Sequence, residues 1–415
     1  MNLLNCLKRF HAFLGFFIGP FIFIAALSGA LYAFTFAMES WVYRDILAVK
    51  KGLQTKSLAE QVGAAEARVH GKSHLLSIRP AVNETSSTRV LYSDSTLPAS
   101  QYRTLFIDPY TLEVKADLIT YGSGGAMPAR MQVDLFHRDL LLGKGGRWYS
   151  ELAASWLWVT GLSGLALFCT RKKREGNSYQ RLVNKHVYLG FFSLVGVFML
   201  SVTGLTWSEF AGEKISWLRT QMQWQTPSLK TKLNHRPFKV YELTQFDKAL
   251  LSARQSGIDS SRIEIKPPRK DNEGWQVNEI GRSFPSEVDG VLLDPETMAA
   301  IDKVEFSKFP LMAKLTRWGI DVHMGTLFGL VNQIMVGFMS VGICALVVTG
   351  YWMWIKRRGW RIRNSLYSEL RKISANQVMY IGCITLPIAF FFPLILVSLL
   401  IFIPLEEIYF RLKHS

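Results

Sequence analysis

Five long apolar runs constrain this chain more than any other feature. Residues 12 to 36, 152 to 170, 187 to 208, 331 to 355 and 378 to 403 are each long enough to cross about 30 Å of hydrocarbon at about 1.5 Å per helical residue. Five transmembrane helices are therefore predicted. The domain plan is a first span ending at residue 36, an external loop 37–151, a span 152–170 and an inner loop 171–186. It continues with a span 187–208, an external loop 209–330, a span 331–355, an inner loop 356–377, a fifth span 378–403 and a tail 404–415.

Charge orients this plan. The net charge is +16, but the cations collect at helix ends as Lys8-Arg9, Arg171 to Arg174, and Lys356 to Arg358 with Arg361 and Arg363. Short basic loops stay in the cytoplasm, which puts the N-terminus inside and both large loops outside. No nucleic-acid partner is needed to explain the charge. The first apolar run is too long for a signal-peptide core and reads as a retained helix. With five spans the tail ends outside, although Arg411 and Lys413 are unusual there. Cys6, Cys169, Cys344 and Cys383 lie in or beside the spans, so disulfides do not staple the external loops.

The chain also reads as built twice. His11-Ala-Phe-Leu-Gly15-Phe-Phe recurs as His186-Val-Tyr-Leu-Gly190-Phe-Phe, and Ser28-Gly29 and Thr203-Gly204 follow at the same interval of eighteen residues from His to Gly. His137 leads to Gly143 and then Thr160-Gly161, whereas His323 leads to Gly329 and then Thr349-Gly350. The His-to-Gly gap is six in both, but the later gap differs by three. Each external loop carries a helix (57 to 69, 244 to 256) and three β-rich runs (74 to 79, 88 to 93 and 103 to 107; 262 to 266, 275 to 280 and 288 to 293). Asp108-Pro109 and Asp294-Pro295 supply a closing type I turn. Each loop is thus predicted to be a small α+β module.

Four repeated histidines carry the chemistry. His11 and His186 begin spans on the inner side, and His137 and His323 precede spans on the outer side, which gives one pair per leaflet. A single such histidine is often only an interfacial hydrogen-bonder. Two neutral imidazoles from facing helices, however, fill both axial positions of a haem iron and leave an electron carrier. Gly15 and Gly190 lie one turn from their histidines and make room for a flat macrocycle. Eighteen residues are five helical turns, so Gly29 and Gly204 return to the histidine face about 27 Å further out. They are expected to pack on the outer macrocycle, with Gly161 and Gly350 facing the inner one; the competing reading is plain close helix packing. Lys8, Arg9 and Lys185 inside, and Arg130, Arg138, Arg147 and Arg317 outside, are candidate partners for propionates. The absence of Cys-x-x-Cys-His implies two non-covalent b-type haems.

Other features carry less. Near-absence of carboxylates from the spans argues against a divalent-cation path. His70 and His74 straddle Gly71, and His235 and His414 are isolated. Met127 and Met131 read as apolar filling, and Trp156, Trp158, Trp207, Trp352 and Trp354 as including interfacial belt residues. No P-loop, Gly-x-Gly-x-x-Gly or catalytic Gly-x-Ser-x-Gly appears.

Together the His-x-x-x-Gly starts, Leu-Phe-His137-Arg-x-Leu-Leu-Leu-Gly143 and the paired Asp-Pro-x-Thr turns resemble the PepSY-associated transmembrane family over most of residues 1 to 363. Its members include siderophore-iron reductases of the ferrioxamine type. The resemblance implies an inner-membrane α-helical bundle with two periplasmic PepSY modules. It implies haem ligation by His11, His186, His137 and His323, and reduction of a ferric siderophore to release iron(II). An inner-membrane or cytoplasmic donor, or the quinol pool, would supply the electrons. Two other readings stay open: a membrane anchor whose modules bind peptides or a protease, and a di-haem carrier serving another periplasmic acceptor.

Overall fold

The computed structural model describes residues 3–69, 73–171, 176–230, 233, 241–270, 272–357, 365–370 and 374–414. His70 and His235, the basic residues 172–174, and Arg358, Arg361 and Arg363 lie outside them, as do the side chains of Lys413 and His414.

The first apolar run is not one straight helix. It forms α1 (Leu3–Phe17) and α2 (Gly19–Ala33), bent by 58°. Pro20 is the cause: it has no N–H to donate to the Phe16 carbonyl, and its ring crowds that turn. Tyr351 supplies the missing donor, its phenol bonding to the Phe16 carbonyl at 2.6 Å. A methyl group built on Gly19 would lie 3.2 Å from the Tyr351 ring, so the glycine lets the phenol in. The five-turn argument from His11 to Gly29 therefore fails for this half, because its helix turns a corner on the way.

Short helices α3 (Thr35–Val42) and α4 (Arg44–Leu47) lead to the first segment between spans, which contains α5 (Leu58–Glu66), β1 (Ser73–Arg79), β2 (Thr88–Asp94), β3 (Gln101–Ile107) and β4 (Val114–Tyr121). Next come α6 (Pro128–Asp139), α7 (Arg147–Cys169), α8 (Ser178–Leu205) and α9 (Phe210–Gln221). The second segment holds α10 (Gln245–Gln255), β5 (Ile263–Lys266), β6 (Trp275–Glu279), β7 (Gly290–Leu293) and β8 (Ala300–Val304), and α11 (Leu311–His323) and α12 (Gly329–Lys356) follow. The chain ends with α13 (Leu366–Leu370), α14 (Ala375–Phe391) and α15 (Pro393–His414).

Each segment has four strands where three were predicted. The Asp-Pro turns do not close the sets; they lead into β4 and β8. Asp108 Oδ1 accepts from the Tyr110 and Thr111 amides, and Asp294 Oδ1 from those of Glu296 and Thr297. The strands form one antiparallel sheet, β4-β3-β2-β1-β5-β6-β7-β8, in which β1 and β5 join the two segments through Ile78 and Ile265. Helices α5 and α10 cover one face, burying Val62, Ala65, Phe246 and Ala249 against Ile78, Val90, Trp275 and Val291. Asp247 on α10 caps α5 by accepting from the Leu58 and Ala59 amides, which ties the two segments together on that face as well.

The rest is a membrane helical bundle. Helices α7, α8 and α12 and residues Pro393–Leu412 are long and apolar enough to span, and the bent α1–α2 pair makes a fifth span if counted as one. Its packed interior includes Phe13, Leu14, Ile18, Trp156, Val197 and Ile343. Trp156 is not a belt residue: it is buried and donates to Ser398 at 2.8 Å.

The predicted span 378–403 is broken before Pro393. Helix α14 ends beside α9, where Phe390 meets Trp217 and Lys214. From there α15 runs back, and Glu406 pairs with Arg9 at the start of α1. Glu406 also accepts from the Leu366 amide of α13 at 2.9 Å. Helix α15 thus returns to the end of the bundle where α1 begins, which overturns the expectation of a single crossing over residues 378–403 that leaves the tail on the opposite side.

Candidate functional site

The bundle brings the four histidines together as two pairs. The ring centroids of His11 (α1) and His186 (α8) are 6.4 Å apart, and those of His137 (α6) and His323 (α11) are also 6.4 Å apart. Along the unbroken α8, His186 and Thr203, which contacts the second pair, are separated by about 25 Å at 1.5 Å per residue. One pair therefore lies toward each end of the bundle.

Each ring is held by one helix hydroxyl. Nδ1 of His11 bonds Ser163 Oγ at 2.8 Å, and that of His186 bonds Thr349 Oγ1 at 2.9 Å. In the other pair, Nδ1 of His137 bonds Ser28 Oγ at 2.9 Å and that of His323 bonds Thr203 Oγ1 at 2.6 Å. The direction of these bonds is fixed by the backbone. Ser28, Ser163, Thr203 and Thr349 each donate their own proton to a carbonyl three or four residues earlier, those of Ile24, Thr160, Met199 and Ala345. The hydroxyl oxygens must then accept from the rings. In this arrangement each imidazole carries its proton on Nδ1 and keeps the Nε2 lone pair for another partner.

The spacing of each pair fits a metal held between two protein ligands. Two nitrogen–metal bonds of about 2 Å each, plus about 1.1 Å from each nitrogen to its ring centre, give a centroid separation of about 6.2 Å when the two rings face each other in line. The observed 6.4 Å matches in both pairs. Among the described residues no cluster of three or more His, Cys, Asp or Glu side chains could complete a zinc-type shell.

Positioning comes from the flanking helices. His137 and His323 sit in the last turns of α6 and α11, whose end carbonyls need donors. Tyr149 donates to the His137 carbonyl at 2.8 Å, and Ser150 to that of Arg138 at 2.7 Å. Asn332 donates to the Val322 carbonyl at 2.9 Å. The start of each following span thus pins the histidine-bearing helix before it. Tyr32 stacks on His137 at 6.3 Å and 20°, and Trp207 meets His323 edge-on at 6.1 Å.

Gly29, Gly204 and Gly350 lie beside the histidine pairs expected for them, and Gly161 does not. A methyl group built on Gly29, Gly204 or Gly350 would lie 3.2, 3.7 or 3.8 Å from Cε1 of His137, His323 or His186. These glycines therefore admit the edge of a histidine ring. Gly161 does not face a histidine, since a methyl there would meet Val197 at 2.8 Å. Gly164 takes that place, since a methyl built on it would lie 3.3 Å from His11 Cε1. Ser163-Gly164 was the legible signal: Ser163 follows His137 by the same twenty-six residues that separate Thr349 from His323, which removes the three-residue mismatch. Space against the helix does exist one turn from His11, because a methyl on Gly15 would find nothing within 4 Å, whereas one on Gly190 would touch Leu346 at 3.5 Å.

The outer arginines expected to meet propionates are already occupied. Arg130 pairs with Glu39 at 3.2 Å, Arg138 with Asp139 at 3.1 Å, Arg317 with Asp321 at 2.7 Å, and Arg147 with Glu209. Arg9 pairs with Glu406, whereas Lys8 and Lys185 are exposed.

The family model described as "PepSY-associated TM region" matches residues 8–357. The chain belongs to the PepSY-associated transmembrane family. The matched stretch of this PepSY-associated protein takes in both histidine pairs, all four hydroxyl partners and the whole sheet, and it stops before α13 to α15. No curated protein matches the chain.

Proposed function

We propose that this protein binds two haems b without covalent links in a bacterial inner membrane, and that it moves electrons outward to a ferric chelate of the siderophore type, releasing iron(II). The observation that carries this reading is the set of four imidazoles, each with Nδ1–H committed to a helix hydroxyl, set in two pairs 6.4 Å apart. Haem, when bound, supplies a one-electron couple. His11 and His186 would hold it on the cytoplasmic side, and His137 and His323 on the periplasmic side, in the orientation set by the basic inner loops.

The remaining residues act on the histidines. Ser163, Thr349, Ser28 and Thr203 fix tautomer and ring angle, as outer partners of metal-bound imidazoles generally do. Tyr32 and Trp207 shield the periplasmic pair. Iron(III) bound by hard oxygen donors loses much of its affinity on becoming the softer iron(II), so delivery of one electron per iron is enough to release it. No residue needs to move a proton, and the donor is a partner protein or the quinol pool.

The architecture is read as two copies of one unit, each with its spans and a PepSY-like periplasmic module. The shared twenty-six-residue interval and the sheet order, with β1 and β5 at the centre and β4 and β8 at the edges, support this. A pyridine haemochrome assay on the purified protein tests the main claim. About two haems per chain are expected, with one lost on His11→Ala or His186→Ala and the other on His137→Ala or His323→Ala. Colourless wild-type protein would end the redox reading. Reoxidation of the reduced protein by a ferric hydroxamate in a stopped-flow instrument tests the acceptor, and indifference to it would point to another one.

A further inference from the structure

Between the sheet and the His137–His323 pair, four guanidinium groups converge on the loop that follows β4. Arg79 bonds the Ser123 carbonyl at 2.9 Å and Arg282 bonds Ser123 Oγ at 2.9 Å. Arg130 reaches the Gly124 carbonyl at 3.3 Å and Arg89 the Gly125 carbonyl at 3.4 Å. Only glycine allows this approach: Gly125 has φ +60°, and a methyl built on it would lie 2.8 Å from Arg79 Nη1.

The charges do not balance. Arg79 is neutralised by Glu264 at 2.8 Å and Arg130 by Glu39 at 3.2 Å. Among the described residues, no carboxylate pairs with Arg89 or Arg282. Their acceptors are also poor ones. Arg89 has a carbonyl at the long limit, and Arg282 has a serine hydroxyl and the Met324 sulfur at 3.1 Å. Burial and the neighbouring Arg79, Arg130 and Arg262 pull the Arg89 guanidinium down to about 10, against the opposing pull of Glu39. Both residues keep part of their surface exposed.

Strong cationic donors that face weak acceptors call for a stronger acceptor. We infer that Arg89 and Arg282, with the Gly122–Gly125 loop, bind a carboxylate-type anion directly over the His137–His323 pair. A planar guanidinium fork matches a carboxylate bidentately. The site adjoins the pair on both sides, since Arg282 touches Met324, next to His323, and Arg130 lies on α6 two turns before His137. Two sources have the right chemistry: a propionate of a haem held by the pair, which rests on the proposed function, and a carboxylate arriving from solution, which does not.

Citrate titrated calorimetrically into the full-length protein in nanodiscs, as wild type and as His323→Ala, tests the site. Saturable binding is expected in one or both, weakened about ten- to a hundredfold by Arg89→Gln or Arg282→Gln, the usual loss for a charged hydrogen bond. The sheet arginine substitution Arg103→Gln should leave it unchanged. Binding to His323→Ala alone identifies the occupant as propionate, and binding to both identifies a separate anion. No saturable binding in either, or equal affinity after both substitutions, overturns the site and leaves the arginines as a clamp on the loop. If His323→Ala does not fold, haem retention decides. Loss of one haem of two from both glutamine variants keeps the site, and full retention without citrate binding by wild type removes it. Arginine-dependent citrate binding by a protein without haem keeps the site and sinks the redox reading instead.

Discussion

Ser163 accepts a hydrogen bond from His11 Nδ1 at 2.8 Å while it donates its own proton to the Thr160 carbonyl at 2.9 Å. The oxygen is thereby locked as an acceptor, and His11 presents only Nε2 to His186. Outer partners of this kind typically change metal affinity by about ten- to a hundredfold. If the proposed haems are bound, Ser163→Ala is expected to shed one to an apomyoglobin trap faster by about that factor, with its reduced spectrum altered. Thr160→Ala is the control, because Thr160 Oγ1 has no partner among the described residues. Equal haem loss from both variants would remove Ser163 from the site.

Tyr351 is expected to matter for stability more than its exposure suggests. Its phenol is the donor for the Phe16 carbonyl that Pro20 leaves bare at the α1–α2 bend. Inside a bilayer no water replaces it. Tyr351→Phe should therefore cost about 1–3 kcal/mol, the penalty for a buried acceptor left alone. Pro20→Ala, which restores the helical donor, should recover part of that loss in the double variant. Unfolding in a graded detergent series measures both, and a fully additive pair would show that the two changes do not share one carbonyl.

Much of this was legible in the chain. The four histidines and the residues that follow them lie in local motifs, so spacing alone grouped them. The bend at Pro20 was visible as a proline but was outweighed by the length of the apolar run. The fourth strands were missed because Val114–Tyr121 and Ala300–Val304 alternate with Lys, Asp and Thr at the sheet edges and look like loop. The tautomer-setting role of Ser28, Ser163, Thr203 and Thr349 was hidden for a different reason. Ser28, Thr203 and Thr349 were read only as companions of glycine, Ser163 was passed over for Thr160, and the partner ring sits more than a hundred residues away. Ion pairs such as Arg130 with Glu39 are tertiary and leave no local pattern.

The Arg9–Glu406 pair fixes the side on which the chain ends. Both side chains are buried, at 7% and 0% exposure, and α15 can bring Glu406 to Arg9 only by returning across the bundle. A reporter fused after Ser415 is expected to give the same sidedness as one fused before Met1. Opposite sidedness would restore a single outward crossing after α12. Removal of one partner, as in Glu406→Ala, leaves the other charge buried and should cost about 3–5 kcal/mol.

Glu264 gives the sheet an acid limit. Burial alone would raise its carboxyl, but Arg79, bonded at 2.8–2.9 Å from β1, and Lys266 at 3.1 Å hold it below the ordinary carboxylate value. A carboxyl depressed on folding contributes stability that is fully present above its unfolded pKa, about 4.3, and is lost as pH falls through the lower folded value. The sheet should therefore lose amide protection at β1 and β5, where the two segments meet, as pH drops below about 4. Glu264→Gln should lower the protection at neutral pH and flatten its acid dependence, because the group that titrates is gone while Arg79 stays buried. Hydrogen exchange followed by mass spectrometry reads both strands at once. An acid dependence that survives the substitution would assign the limit to another carboxylate and leave the β1–β5 seam held by packing of Ile78 on Ile265.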